Sequence, residues 1–236
     1  MRIHGLQKLT LLDYPEKVAA ALFLGGCNFR CPFCQNSGLV LNPDAENVIP
    51  YEELLAFLKK RQGILDGICI TGGEPTLEKD LELLIRDIRS FGYLVKLDTN
   101  GSRPEVLKDL VKKDLLDYVA MDIKSSLQGY EKTAGLATPS AQILERIQES
   151  ADFLMHCGIE YEFRTTVMKE LHTASDFSEI ADWLAGCRRY YLQAYQDSEH
   201  ILLPGIFHSY TRRELENFRE ILLKKIPLVG IRGIDE

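Results

Sequence analysis

The chain has 236 residues, 45% of them hydrophobic, enough to bury a substantial core in the size range of one α/β domain. A formal net charge of −7, with no basic patch beyond short runs such as Lys112-Lys113 and Lys224-Lys225, argues against a general binder of nucleic acid or anionic membrane. No stretch of about eighteen apolar residues is present and the start, MRIHGLQKLTLLDYPEK, lacks a signal-peptide pattern, so a cytoplasmic protein is expected; there, six cysteines point to metal or redox chemistry rather than a disulfide framework.

In chain order, the first predicted strand is KVAAALFL at 17–24, followed by the three-cysteine loop GGCNFRCPFCQNSG at 25–38. Further strands are predicted at 67–71 (GICIT), 94–98 (LVKLD), 118–122 (YVAMD), 161–167 (YEFRTTV) and 190–195 (YYLQAY), each followed by a helical pattern. Gly63, Gly158 and Gly186 stand where helices should stop. Capping boxes are predicted at Ser102 to Glu105, with Pro104 in the first turn, and at Thr211 to Glu214 ahead of LENFREILLKK. The alternation, unbroken by any low-complexity linker, predicts one domain over 1–236 with a core over 17–195 and a C-terminal helix and tail over 196–236.

The predicted strands end in polar groups: TGGEP at 71–75, DTNG at 98–101, DIK at 122–124 and FRTT at 163–166. A doubly wound open sheet would gather its ligand contacts at one switch point, whereas polar residues ending four strands in a row suit the rim of a partial TIM-like barrel of about six β/α units. That α/β fold is the expectation, with the cysteine loop on the same rim.

Cys27-x3-Cys31-x2-Cys34 has two readings. A structural zinc site needs four ligands, and the fourth would have to be Cys69, Cys157, Cys187 or a distant histidine. Cys69 and Cys157 read as ordinary buried cysteines and Cys187 as half-exposed. His4, His156, His172, His200 and His208 show no ligand spacing and read as surface or helix residues. An iron-sulfur cubane takes four thiolates; three leave one iron open, as catalytic metal sites do.

CNFRCPFC, with the aromatic Phe33 before the last cysteine, resembles the signature loop of the radical S-adenosylmethionine (SAM) superfamily, and GGEP matches its second motif. The stretch GLQKLTLLDYPEKVAAALFLGGCNFRCPFCQN, with DTNG and DIK, resembles the anaerobic ribonucleoside-triphosphate reductase activating proteins, relatives of pyruvate formate-lyase activating enzyme. The resemblance runs from about Gly5 to Thr166. It implies that Cys27, Cys31 and Cys34 hold a [4Fe-4S] cluster and that SAM chelates the fourth iron. Phe33, Gly72, Gly73, Glu74, Asp98, Thr99, Asp122, Lys124 and Arg164 are then the cofactor contacts, with a monovalent cation among Asp98, Thr99 and Asp122. The plainer readings are a strand-to-helix turn at Gly72 to Glu74, a turn at Asp98 to Asn100, and pairing of Lys124 and Arg164 with neighbouring acids. Relatives commonly carry histidine where Gln35 stands, and another in the strand that here ends at Tyr195.

The resemblance implies hydrogen abstraction from a glycine of a partner enzyme, anaerobic ribonucleotide reductase first and pyruvate formate-lyase second, with no protein acid or base and with flavodoxin or ferredoxin as reductant. The alternatives are a radical SAM enzyme acting on a small molecule and, outside enzymes, a zinc-binding adaptor.

Overall fold

The computed structural model describes residues 2–44, 47–137 and 140–234. In chain order the elements are β1 Ile3–Thr10, β2 Ala19–Leu24, α1 Ser37–Leu41, α2 Tyr51–Arg61, β3 Gly67–Gly72, a 3₁₀ turn Pro75–Leu77, α3 Leu81–Ser90, β4 Leu94–Thr99, α4 Pro104–Lys112, β5 Tyr118–Asp122, α5 Tyr130–Ala134, α6 Ala141–His156, β6 Glu160–Val167, α7 Ala174–Trp183, β7 Tyr190–Ala194, α8 Arg212–Leu223 and β8 Val229–Arg232. The strands follow chain order across an eight-stranded sheet. β1 is antiparallel to β2, while β2-β3-β4 and β6-β7-β8 pair in parallel. No helix among the described residues is long and apolar enough to cross a membrane.

The six predicted strands are present with ends moved by at most two residues, and two more were not predicted. β1 escapes a period-two reading because register shifts lie between Ile3 and Gly5 and between Gln7 and Thr10; each shift resets which face the next side chain meets. β8 is only four residues long, VGIR. Within the C-terminal tail β8 pairs in parallel with β7, and Arg232 donates to both oxygens of the fully buried Glu162, at 2.7 and 2.8 Å. Its guanidinium carbon lies 3.4 Å from the Tyr191 ring centroid.

Backbone contacts divide the chain into two units. The first comprises Met1–Asn28, Asn36–Thr99 and Arg103–Ala120. Its core joins β2, β3 and β4 through Leu22, Ile68, Ile70, Val95 and Leu97 to Leu84, Ile85 and Ile88 of α3, all fully buried. Parallel strands covered on both faces read as continuous apolar runs, which is why these were visible in the sequence. The second comprises Phe29–Gln35, Asn100–Ser102 and Met121–Glu236. Its core includes Phe163, Leu192 and Leu215, with Phe177 of α7 stacked on Phe218 of α8 at 4.6 Å.

The local signals divide. Gly63, Gly158 and Gly186 take positive φ of 74°, 84° and 84° at the helix stops, where a side chain would be strained. Thr211 and Glu214 form the predicted capping box, and Thr173 with Asp176 forms one that was not predicted. The Ser102 box does not form. The Ser102 N–H donates to Asn100 Oδ1 at 2.9 Å, and α4 starts after Arg103 with Pro104 in its first turn and no side-chain cap. The short Asn100 side chain captured that amide first.

Three further expectations are corrected. Cys187 is fully buried, not half-exposed, and burial pushes its thiol up to about 12. Cys157 is half-buried at the C-cap of α6, its thiol 3.7 Å from the Leu154 carbonyl. His172 is neither on the surface nor in a helix; it is fully buried between β6 and α7.

Two stability measurements follow. Thr211→Ala should cost about 1 kcal/mol in urea unfolding, the usual loss for an N-cap. Arg232→Ala strips two charge-assisted bonds from a buried carboxylate and should cost about 2 to 3 kcal/mol; an unchanged midpoint would show that β8 is held by its backbone alone.

Candidate active site

In the first unit the site is built from backbone. β2 leads into Gly25-Gly26-Cys27 and β3 into Gly72-Gly73-Glu74. The Gly73 N–H donates to the Leu24 carbonyl and the Glu74 N–H to the Gly26 carbonyl, both at 2.8 Å, while the Asn36 amide donates to the Gly72 carbonyl at 2.8 Å. The two strand ends run so close that a Cβ on Gly73 would stand 1.9 Å from the Gly26 oxygen, and one on Gly72 2.4 Å from Leu24 backbone atoms. Gly72 also holds φ at +117°. The paired glycines thus have a reason inside the protein: they let the loop bearing Cys27 lie against the loop bearing Glu74.

Glu74 is buried, and its Oε1 accepts from the Thr76 N–H at 3.1 Å, the Thr76 hydroxyl at 2.5 Å and the Thr99 hydroxyl at 2.7 Å. It therefore fixes the end of β3 to the end of β4. Alternation along β4 separates Thr99 from Asp98. Asp98 accepts from Lys96, a lysine only 1% exposed whose ammonium also lies 3.7 Å from the Cys69 sulfur opposite it on β3. Lys96 was not singled out in the sequence, because a lysine inside LVKLD interrupts an apolar run without any motif to flag it.

In the second unit the loop bearing Cys31 and Cys34 is braced at several points. The Arg30 N–H donates to the Ala134 carbonyl at 3.0 Å, and the Cys31 sulfur lies 3.6 Å from the same oxygen. Gly135, at φ +59°, passes so near that its Cβ would stand 2.1 Å from the Arg30 oxygen. The Leu202 and Leu203 N–H groups take the Cys34 and Pro32 carbonyls at 3.1 and 2.9 Å. All six cysteines are thiols; Cys31 is buried, and Cys27 and Cys34 are half-buried. Among the described residues no three His, Cys, Asp or Glu side chains gather as they would around one metal ion.

Beside Cys31 stands a charge cluster. Arg164 Nε donates to Asp122 Oδ1 at 2.6 Å and Lys124 Nζ to Oδ2 at 2.8 Å. The three side chains are 15%, 26% and 17% exposed for Arg164, Asp122 and Lys124. Burial pushes the Asp122 carboxyl up, but the two cations outweigh it and hold it well below the usual carboxylate range. Burial pushes Lys124 down, and Asp122 with the nearby Cys31 sulfur reverses this and raises it. The Lys124 ammonium also lies 6.0 Å from the Phe33 ring centroid, within cation–π range. Two cations thus share the Asp122 carboxylate, one on each oxygen.

The residues present fit an iron-sulfur cluster with SAM. Three soft thiol donors within eight residues suit a cubane bound one thiolate per iron, and cationic donors such as Lys124 and Arg164 suit an anionic carboxylate. The carboxylates expected to hold a monovalent cation, Asp98 and Asp122, already carry protein cations.

The radical SAM superfamily profile matches residues 22–184, well over half of the chain. A protein of Methanocaldococcus jannaschii, provisionally named a glycyl-radical enzyme activating enzyme, is 33% identical over 99% of this chain and 96% of its own length. The GTP 3',8-cyclase of Nautilia profundicola is 31% identical over 67% of this chain, which spans only 48% of that enzyme. Among solved structures, Streptococcus suis SuiB bound to S-adenosylmethionine superposes with a TM-score of 0.68 at 16% identity, over 90% of this chain and 52% of SuiB. Archaeal TYW1 superposes with a TM-score of 0.57 at 15% identity, over 88% and 72%. At those identities the likeness shows the fold, the partial-barrel α/β fold of these enzymes. The chain belongs to the radical SAM superfamily, enzymes whose cofactors are a [4Fe-4S] cluster and S-adenosylmethionine.

Proposed function

We propose that the chain activates a glycyl-radical enzyme, with anaerobic ribonucleoside-triphosphate reductase as its target. The observation that carries this is the end-to-end match to the Methanocaldococcus jannaschii protein, covering 99% of one chain and 96% of the other. The cyclase match, by contrast, leaves about half of that enzyme unaccounted for. The narrower choice of partner rests on the N-terminal stretch from Gly5 through the cysteine loop and on DTNG and DIK.

In this reading Cys27, Cys31 and Cys34 ligate the cluster, and Lys124 and Arg164 meet the SAM carboxylate with Asp122 as the brace that aligns them. Glu74 holds Thr99 and the loop of Gly72 and Gly73 against the Cys27 loop, and Phe33 lays an apolar ring beside the Lys124 ammonium. A [4Fe-4S] cluster held by Cys27, Cys31 and Cys34 would supply the one-electron reduction that cleaves the sulfonium bond of SAM to methionine and a 5′-deoxyadenosyl group able to take a hydrogen atom from the partner's glycine. The electron enters from flavodoxin or ferredoxin. This chemistry asks no acid or base of the protein, only orientation and exclusion of water, and no catalytic side chain is assigned.

The test is anaerobic. The reconstituted, reduced protein should release 5′-deoxyadenosine and methionine, and Cys34→Ala should reduce both to background; equal product from that variant would remove Cys34 from the ligand set. Mixed with the large subunit of an anaerobic ribonucleotide reductase, the wild type should produce a glycyl-radical signal in electron paramagnetic resonance. Product release with a signal only on pyruvate formate-lyase would move the assignment to that partner.

A further inference from the structure

His172 lies just beyond β6, in a turn closed by its own N–H donating to the Met168 carbonyl at 3.1 Å. It is fully buried, its ring stacked on Phe177 at 6.0 Å with 27° between planes. Both ring nitrogens are engaged. The Met168 N–H points at Nδ1 at 3.3 Å, and Nε2 lies 2.8 Å from the Lys124 carbonyl oxygen. A backbone N–H only donates and a carbonyl only accepts, so one tautomer satisfies both contacts: Nδ1 bare, Nε2 protonated. An imidazolium would set N–H against N–H at Met168. Burial, the largest influence on the ring, likewise disfavours the charged form.

The second contact leads to the charge cluster. Lys124 is the residue whose ammonium holds Asp122 and lies over Phe33. A lysine side chain has four rotatable bonds, and its start is fixed only as well as its backbone. That backbone lies two positions beyond the last residue of β5; the preceding residue is tied to β6, with the Ile123 N–H donating to the Arg164 carbonyl at 2.9 Å and the Thr165 hydroxyl donating to the Ile123 carbonyl at 2.5 Å, and the Lys124 carbonyl itself is met by His172.

We propose that His172 is a positioning residue for Lys124: its Nε2–H clamps the Lys124 carbonyl and so keeps the ammonium on Asp122 and over Phe33, preset for an anionic carboxylate. This rests on the reading of Lys124 as a contact for the carboxylate of SAM.

The experiment measures SAM binding by equilibrium dialysis on the reconstituted, unreduced protein, where no turnover occurs, with unfolding midpoints as the fold control. His172→Phe keeps the stack on Phe177 and removes both hydrogen bonds; SAM binding should weaken about tenfold. His172→Gln, whose amide both accepts and donates, should stay within about threefold of wild type. Lys124→Met should weaken binding, and adding His172→Phe to it should weaken it no further, because the ring acts through the ammonium. Wild-type affinity in a folded His172→Phe, or losses that add in the double variant, would overturn the proposal. In the unloaded wild type, imidazole ¹⁵N spectra at neutral pH should show a proton on Nε2 and none on Nδ1; the opposite tautomer or an imidazolium would overturn it, even where His172→Phe does not fold. A wild type that takes up a cluster yet binds no SAM would instead sink the functional reading, with the tautomer still deciding whether the clamp exists.

Discussion

The charge cluster of the second unit depends on one carboxylate that satisfies two cations. Removing Asp122, Lys124 and Arg164 from water is costly unless each charge is paired and hydrogen-bonded. The geometry meets that condition with one oxygen per cation, at 2.6 and 2.8 Å. The arrangement has a functional side. Cations held by a protein partner keep their places with no ligand bound, so an incoming anion meets preset donors rather than reorganising flexible chains.

The first unit reaches the same end by a different physical route. Its ordering comes from main chain against main chain, where two strand ends are stitched by paired backbone hydrogen bonds and glycines remove the side chains that would hold them apart. Glu74 then spends its acceptor capacity on Thr76 and Thr99, so the one acid of the GGEP motif serves as a strut between strand ends. A backbone scaffold of this kind resists thermal rotamer change, since it has no χ angles to sample.

What the sequence made legible was whatever is local. The cysteine spacing, the GGEP run and six buried parallel strands are patterns within ten residues, and each is found where expected. What it hid was long-range or irregular. β1 carries two register shifts that erase its alternation, and β8 is too short to show one. Nothing near Gly135 announces that it must pass the Arg30 oxygen. His172 sits 48 positions from the carbonyl it holds, so its burial could not be read from neighbours. At Ser102 the local rule was applied to the right residues but a competing local bond to Asn100 prevailed.

The contacts of Gln35 and Tyr195 become intelligible on the same grounds. Gln35 donates from its side-chain amide to the Gln196 carbonyl at 3.3 Å, and the Tyr195 hydroxyl donates to Asp197 at 2.7 Å. Asp197 in turn accepts from the Ser198 and Gly205 N–H groups at 3.1 and 3.0 Å. Both side chains thus serve to shape the stretch after β7. That stretch brings the Leu202 and Leu203 N–H groups to the carbonyls of Cys34 and Pro32, satisfying two acceptors of the cysteine loop. Gln35 and Tyr195 therefore belong to one local arrangement: the loop that carries Cys31 and Cys34 is braced by the segment following β7, and these two side chains help hold that segment in place.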